Sequence, residues 1–295
     1  MKKFSLIALF AALVAVNVNA TEIWTGSHAV TWDTPLNLEA AKFADAVAGQ
    51  KIVAAYTDAS DGIECKVLNV GSMVPGLKKD NWISGEGTFE FILTQPALEA
   101  LQAHGLQLIG NHFTLTSVEL VDGRVLHEGT TIWAGFFWAN DWNNSTLVLN
   151  KETATSVDWS GYSAVRVYHE AGRDNFEVNL RRNWDNAGFI VGTDGNFAET
   201  MTVTDAEDHS YKEFALTGDA RTAATVETDE FLMQCYKGDN QDAFNITDIV
   251  LVMENGGTTA IDNTAIEGKA VKSFENGQLV IIKNGVKYNA LGAQL

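Results

Sequence analysis

The sequence is poor in cysteine, proline and basic residues, and each shortage excludes a class of protein. Two cysteines among 295 residues are too few for a fold held together by disulfides. Three prolines leave little room for stiff linkers. The 20 basic residues are outnumbered by 38 acidic ones, which gives a net charge of -18. That charge argues against nucleic acid and anionic membranes as partners, because both attract basic surfaces.

The chain also lacks an apolar run of the roughly 20 residues that a membrane-spanning helix needs. The longest run, residues 4–16, follows Lys2 and Lys3 and is closed by the small residue Ala20. A basic start, an apolar centre and a small final residue are typical of a secretory signal peptide. We therefore expect residues 1–20 to be a signal peptide and the protein to be secreted or held at the cell surface. A retained membrane anchor is the alternative.

What the sequence does contain is a repeated order of short segments. Four segments recur, 23–26 as 132–135, 52–56 as 164–168, 63–67 as 176–180, and 113–120 as 244–251. Within them apolar and polar residues alternate, which is typical of strands with one face in the core. Phe113, Leu115 and Val118 show a one-residue slip that indicates a bulge. The pattern predicts an all-β protein with two tandem jelly-roll-like β-sandwich modules, 21–122 and 130–254.

Helix signals are few and confined to the first module. Residues 96–101 begin with a proline and are followed by Gly105, which predicts a short helix. The alanine-rich segment 38–47 ends at Gly49 and predicts a second one. Neither has a counterpart in the second module.

The two cysteines lie in separate modules, each within a strand-like run. We interpret Cys65 and Cys235 as buried free thiols that pack as small apolar side chains. A long-range disulfide and a metal site are the less favoured alternatives, since zinc sites use closely spaced pairs of ligands.

The C-terminal segment 271–295 predicts a β-hairpin, because Asn284 and Gly285 separate two apolar runs. Residues 276–292 resemble the short C-terminal sorting tail of secreted Bacteroidetes proteins, with a Gly-Gln-Leu strand, a turn, Tyr-Asn and a final Gly. The resemblance implies export through the type IX route or a related surface pathway, with the tail recognised by the export machinery. The chain departs from that pattern because no full-length immunoglobulin-like sorting domain precedes the tail. An ordinary terminal hairpin is the alternative.

The modules also resemble non-catalytic jelly-roll modules found beside polysaccharide-degrading enzymes in gut and rumen Bacteroidetes. The resemblance in the first module rests on residues 23–26, Trp32, Gly49, 97–101, 105–110 and 113–120. The second module keeps the first and last strands but lacks the helical turn, so it is closer to a generic carbohydrate-binding jelly roll. The resemblance implies binding of a polysaccharide without cleavage.

The tryptophans indicate where a polysaccharide would bind. Flat aromatic rings match the apolar faces of sugar rings, and all eight tryptophans lie after residue 20. Several stand in polar loops beside amides and charges, where strand alternation does not require a ring. The predicted carbohydrate-binding residues are Trp32, Trp82, Trp138, Trp142, Arg182 and Trp184.

Each of these residues also has a structural interpretation. The rings could close the ends of the sandwiches, and Arg182 could pair with Asp185 instead of binding sugar hydroxyls. Trp24 and Trp133 occupy equivalent repeat positions beside a glycine, and we expect them in the cores. Trp159, next to a glycine, is expected to be structural as well.

No catalytic motif emerges from the sequence. It has no Gly-x-Ser-x-Gly and no His-Glu-x-x-His, and residues 227–230 have the wrong spacing for the carboxylates of jelly-roll glycosidases. We therefore name no catalytic residue and no certain cofactor. A structural calcium ion is a candidate cofactor, with residues 205–208 and 239–242 as acidic loops of suitable chemistry.

These features together predict a secreted or cell-surface protein that binds a polysaccharide of the glucan, mannan or xylan class without cleaving it. The alternatives are a glycoside hydrolase with an unrecognised carboxylate pair, and a surface adhesin or assembly protein. A β-sandwich can serve all three roles, so the fold does not choose between them.

Overall fold

The computed structural model describes residues 20–140, 146–173, 176–184, 189–191, 202–204, 210–218, 221, 230–237, 243–253, 271–275, 278–283 and 286–289. The chain divides into two compact units, residues 1–257 and 258–295. The first unit holds two groups of antiparallel sheets, which we call the first half (21–121) and the second half (130–252). The structure confirms the expected all-β sandwich class.

The first half consists of seven strands in two sheets. They are β1 (Thr21–Val30), β2 (Leu36–Leu38), β3 (Lys51–Ala59), β4 (Ile63–Val67), β5 (Gly85–Ile92), β6 (Leu106–Gly110) and β7 (Phe113–Val121). One sheet has the order β1-β7-β3-β5 and the other β2-β6-β4. Alternate residues of β3, Ile52, Ala54 and Tyr56, are buried, and they pack in one core with Cys65 and Phe43.

Helix α1 (Gln95–His104) lies between β5 and β6 and confirms the helix predicted near residues 96–101. The Thr94 hydroxyl accepts a hydrogen bond from the Ala97 amide, and Pro96 occupies the first turn. Gly105 follows with φ of 94°, a left-handed conformation that favours glycine.

The alanine-rich segment was predicted as a helix over 38–47, and that prediction is largely wrong. Only Ala40–Phe43 form a single 3-10 turn. Leu38 instead belongs to β2, where it pairs with Leu106. Pairing with β6 buries Leu38, whereas Glu39, the residue before the turn, makes no side-chain cap hydrogen bond to start a longer helix.

The second half consists of nine described strands in two sheets. They are β8 (Thr130–Ala139), β9 (Thr146–Asn150), β10 (Ala164–His169), β11 (Phe176–Arg182), β12 (Phe189–Val191), β13 (Thr202–Thr204), β14 (Ser210–Ala215), β15 (Glu230–Lys237) and β16 (Phe244–Val252). The orders are β13-β14-β10-β16-β8 and β12-β11-β15-β9. A short helix, α2 (Glu152–Thr155), and a 3-10 turn, Trp159–Gly161, follow β9.

The strand order of one half matches that of the other. The orders β1-β7-β3-β5 and β2-β6-β4 correspond to β8-β16-β10-β14 and β9-β15-β11. The last strands share a bulge: Ser117 and Leu115 pair with successive residues of β3, and Asp248 and Ile246 pair with successive residues of β10. One residue of each last strand is therefore unpaired, which confirms the bulge predicted from the slip in residues 113–120.

The two cysteines lie in separate cores, Cys65 in the first half and Cys235 in the second. Both are free and buried, as predicted. Burial raises the pKa of both thiols well above the ordinary range, because a thiolate would lose its hydration. Trp133 and Trp159 are also buried, and the Trp159 indole donates a 2.8 Å hydrogen bond to the Ala154 carbonyl.

Backbone hydrogen bonds join the two halves. Residues 77–79 of the first half lie antiparallel beside β9 of the second. The Asn150 amide donates to the Leu77 carbonyl (2.9 Å), and the Lys79 amide donates to the Val148 carbonyl (3.2 Å). The first half thus extends an edge of a second-half sheet, and the relative position of the halves is set by directional bonds.

The connection between the halves, residues 122–129, is also held against the second half. The Arg124 guanidinium donates two hydrogen bonds to the Asp248 carboxylate, at 3.0 and 2.9 Å. Asp248 is fully buried. The His127 ring stacks on the Tyr168 ring with centroids 3.5 Å apart. The connection is therefore a structured part of the first unit.

The second unit contains a three-stranded antiparallel sheet of β17 (Val271–Glu275), β18 (Gln278–Lys283) and β19 (Val286–Asn289). β18 and β19 pair antiparallel up to Lys283 and Val286, which confirms the predicted hairpin, and residues 284 and 285 lie outside the described residues. The sequence predicted two strands, and the structure adds β17 as a third. A third strand matters because an isolated two-stranded hairpin is marginal in water.

Candidate functional site

Four of the six predicted binding residues are exposed tryptophans. The exposed fractions are 49% for Trp32, 76% for Trp82, 47% for Trp138 and 55% for Trp184. In contrast, Trp133 and Trp159 are buried and Trp24 is half-buried. Trp142 lies outside the described residues. The structure thus separates the tryptophans that serve the cores from those that face solvent.

Trp184 lies two residues after the end of β11, and the polar edge of its indole is held by a hydrogen bond. Asn183 turns the chain with φ of 50°. The Asn183 amide donates to the Glu230 carbonyl (3.2 Å), and the Trp184 indole Nε1 donates to the Glu230 carboxylate (2.8 Å). A residue of the neighbouring strand β15 therefore fixes an indole whose ring is more than half exposed.

Arg181 lies beside this indole. Its guanidinium carbon is 4.6 Å from the Phe189 ring centroid and 5.9 Å from that of Trp184. The guanidinium also donates to the Gln234 side chain (3.3 Å) and to the Asn183 carbonyl (2.9 Å). We call Arg181, Trp184 and Glu230 the Trp184 platform, since together they present an aromatic face beside hydrogen-bonding groups.

The structure places Arg182, the predicted cation, on the other face of β11. It pairs with Phe231, which belongs to the core, and it follows the same alternation as the core residue Leu180. Both arginines are buried, Arg181 at 7% and Arg182 at 9% exposed, so they differ in the face of β11 they occupy and not in exposure. Arg181, which the sequence analysis did not select, is the arginine beside Trp184. The alternation in β11 was the available signal, because it places neighbouring residues on opposite faces.

The Trp184 platform reaches the first half through an ion pair between Lys79 and Glu230. Glu230 is largely buried by these contacts, whereas Lys79 is more exposed. A polar cleft of about 560 Å³ opens beside this pair, with Glu64, Lys66 and Glu152 among its walls. The platform therefore lies at the junction of the two halves.

Trp82 and Trp32 lie in turns of the first half. Trp82 follows Lys79 in the same loop, and its neighbour in an isolated bridge is Gly62. Trp32 is in a tight turn closed by hydrogen bonds between Thr31 and Thr34. No described contact brings either ring to the Trp184 platform.

Trp138 lies on β8, an edge strand, and shares its outward face with Phe136. Phe137 between them is buried in the core. Phe136 is 67% exposed and was not selected from the sequence. Its position could have been found from the alternation, because an inward Phe137 directs both neighbours outward.

Metal and membrane features are limited in the part of the chain that the structure describes. Within it, no three His, Cys, Asp or Glu side chains come together in a group that could hold a metal ion. The two acidic segments predicted for calcium, 205–208 and 239–242, lie outside the described residues. None of the described helices is long and apolar enough to cross a membrane.

No known family model and no curated protein matches this chain. Among solved structures, the chain is similar to SGBP-B of the Bacteroides ovatus mixed-linkage glucan utilization locus, in complex with a mixed-linkage heptasaccharide. The identity is 22% and the TM-score 0.30, over 34% of this chain and 28% of that chain. The match thus spans less than a third of the other protein, and function has to be argued from the residues of the site.

Proposed function

We propose that this protein binds a polysaccharide without cleaving it, by stacking sugar rings on exposed tryptophans. One observation carries the proposal: Trp184 is more than half exposed, yet its indole is fixed by a 2.8 Å hydrogen bond to Glu230. A ring needed for packing would be buried, and a ring without a role would not need such support. A fixed, exposed ring binds well because little conformational entropy is lost on binding.

The groups beside Trp184 support its ring and balance each other's charge. The Glu230 carboxylate accepts the indole hydrogen bond, and the buried Arg181 guanidinium lies 5.9 Å from the ring centroid. Their opposite charges leave the platform close to neutral, and the whole chain carries -18. A neutral glycan of the glucan, mannan or xylan class therefore fits better than a polyanion, which the net charge would repel.

The two halves are proposed to be tandem modules of one type. Their strand orders correspond, and exposed tryptophans occur in both, Trp32 and Trp82 in the first half and Trp138 and Trp184 in the second. On a long polysaccharide, contacts with the first-half tryptophans would add to those at the Trp184 platform and raise the affinity through effective concentration, whereas a short oligosaccharide on the platform would not reach them.

We further propose export, with residues 1–20 as a signal peptide and 271–295 as a sorting tail. Deleting residues 271–295 should retain the protein inside the cell envelope, whereas deleting residues 258–267, which leaves the tail in place, should not. A structural calcium ion at residues 205–208 or 239–242 stays a prediction. A chelator should lower the melting temperature if such an ion is bound.

The function is tested by affinity electrophoresis and calorimetry on soluble glucans, mannans and xylans, with reducing-sugar release measured in the same samples. We expect retardation by at least one polysaccharide and no sugar release. Trp184→Ala should weaken binding by about tenfold or more, as for a central aromatic contact. Trp184→Phe keeps a ring but loses the hydrogen bond to Glu230, so its affinity should lie between those of the wild type and Trp184→Ala.

Val47→Ala is the matched control, because Val47 is also an exposed apolar residue, at 58%. It should leave binding unchanged. Release of reducing sugar would replace the proposal with a hydrolase. Failure of every polysaccharide to bind would favour an adhesin or assembly protein.

A further inference from the structure

A second cleft lies between the two halves, and it contains none of the tryptophans predicted to bind. Its volume is about 570 Å³, within the range of small-molecule sites. The first half contributes Phe89, Lys78 and Asn81 to its walls, and the second contributes Phe136. We call this space, lined by Phe89, Phe136, Lys78, Asn81, Lys51 and Glu90, the junction cleft.

Strand β8 does not need a phenylalanine at position 136 in order to form. By register, β8 corresponds to β1: Ala139 pairs with Phe244 as Val30 pairs with Phe113. Counting back from these pairs, the positions of Trp138 and Phe136 correspond to Ala29 and Ser27. Both residues of β1 are small and exposed.

The same strand therefore forms in the first half without rings at these positions. Leaving a phenylalanine in water forgoes the stabilisation that burial would provide. Phe136 also stands where β8 bulges against β16, between the pairs of Ala134 and Phe137. Bulges re-aim side chains and are over-represented beside binding sites.

The polar walls of the junction cleft hold two ion-paired cations and one further cation, Lys78. Lys51 pairs with Glu90 at 2.8 Å, and Arg124, at the margin, pairs with the buried Asp248 at 2.9 Å. The cations in these pairs offer directional N–H donors with their charge compensated. Asn81 adds an amide whose nitrogen already donates to the Lys78 carbonyl at 3.1 Å, which orients the group. These donors and the amide, beside aromatic rings, suit hydroxyl groups, and the chain's net charge of -18 disfavours an anionic ligand despite Lys78.

The walls of the cleft are held in place by the bonds that join the halves. Residues 77–79 pair with β9, and in this extended segment neighbouring side chains point to opposite sides. Lys78 lines the junction cleft, whereas Lys79 binds Glu230 of the Trp184 platform. The Arg124 amide donates to the Gly49 carbonyl at 2.9 Å, which holds Arg124 in place at the margin of the cleft. The cleft and the platform therefore lie on opposite sides of one segment.

We infer that the junction cleft is a second glycan-binding site, which takes a neutral oligosaccharide with one sugar ring against Phe136. The inference rests on the proposed function and adds a site that includes residues of both halves. Because the cleft and the platform share no residue, each should bind a short oligosaccharide independently.

The test is calorimetry of the mature protein with short linear oligosaccharides of glucose, mannose and xylose, each free of carboxylates. For the sugar that binds, we expect two molecules per protein. Phe136→Ser, which installs the residue found at the corresponding position of β1, should leave one molecule bound, at the platform. Trp184→Ala should leave one molecule bound, in the cleft. Affinity at the altered site should fall by about tenfold or more.

The melting temperature of Phe136→Ser should match that of the wild type, because the side chain is exposed. If the wild type binds only one molecule, and Trp184→Ala abolishes that binding while Phe136→Ser does not change it, the cleft is not a glycan-binding site. The proposed function would then still stand. Tighter binding of oligogalacturonate than of the neutral sugars would overturn the assignment of a neutral ligand. If no sugar binds the wild type at all, the proposed function and the cleft both fail.

Discussion

Replacing Arg124 with alanine should destabilise the second half, because it removes the partner of a buried carboxylate. Arg124 donates to both carboxylate oxygens of Asp248 and, at 2.7 Å, to the Thr247 carbonyl. Asp248 is 0% exposed. The alanine variant leaves a buried carboxylate whose remaining described ionic neighbour is His127, at 3.4 Å.

Breaking a buried ion pair costs about 3–5 kcal/mol because the remaining charge is uncompensated. The Arg124 side chain is 33% exposed, so water can partly replace it, and we expect a loss of about 3 kcal/mol. The assay is urea unfolding followed by tryptophan fluorescence. Arg124→Ala/Asp248→Asn should be more stable than Arg124→Ala, since the second change removes the uncompensated charge.

Arg166→Ala is the matched control. Arg166 pairs with Glu213 at 2.7 Å, but Glu213 is 41% exposed, so that pair should contribute no more than about 1 kcal/mol. The reasoning is refuted if Arg124→Ala loses less than the control. It is equally refuted if Asp248→Asn destabilises the Arg124→Ala protein further.

Three more outcomes follow from the structure. Cys65 and Cys235 should resist alkylation in the native protein and both react in urea, as counted by mass spectrometry. Because their pKa is raised only in the folded state, the stability of the protein should fall as the pH rises above the ordinary thiol range. Gly105→Ala should lower the melting temperature strongly or prevent folding, because φ is 94° and the added carbon would lie 2.3 Å from a carbonyl oxygen. Hydrogen bonds from Ser160 lower the pKa of Asp158. The ionised carboxylate therefore stabilises the fold above the ordinary carboxyl pKa, and this contribution should be lost as the pH falls through the lowered pKa. Acid titration followed by NMR would measure the change.

Local patterns in the sequence were enough to predict many elements. Proline and glycine bounded α1, and Asn284-Gly285 indicated the hairpin of the tail. The slip in residues 113–120 indicated the bulge of β7. These signals lie in adjacent residues, because turn and helix ends are decided by backbone conformations that few residue types accept.

Other features depended on partners distant in the sequence. Leu38 belongs to a strand because β6 is available to pair with it. Arg181 rather than Arg182 faces Trp184 because the register of β11 pairs Arg182 with Phe231. Nothing near Leu77 predicts that it would bond to Asn150.

The sequence by itself therefore determined the all-β class, the helix α1, the free thiols and the set of tryptophans worth testing. Only the tertiary structure decided which rings are exposed, which arginine accompanies Trp184, and that both halves line one cleft. The reason is physical: alternation and turn chemistry are properties of neighbouring residues. Burial and side-chain pairing are properties of surfaces that meet after the chain has folded.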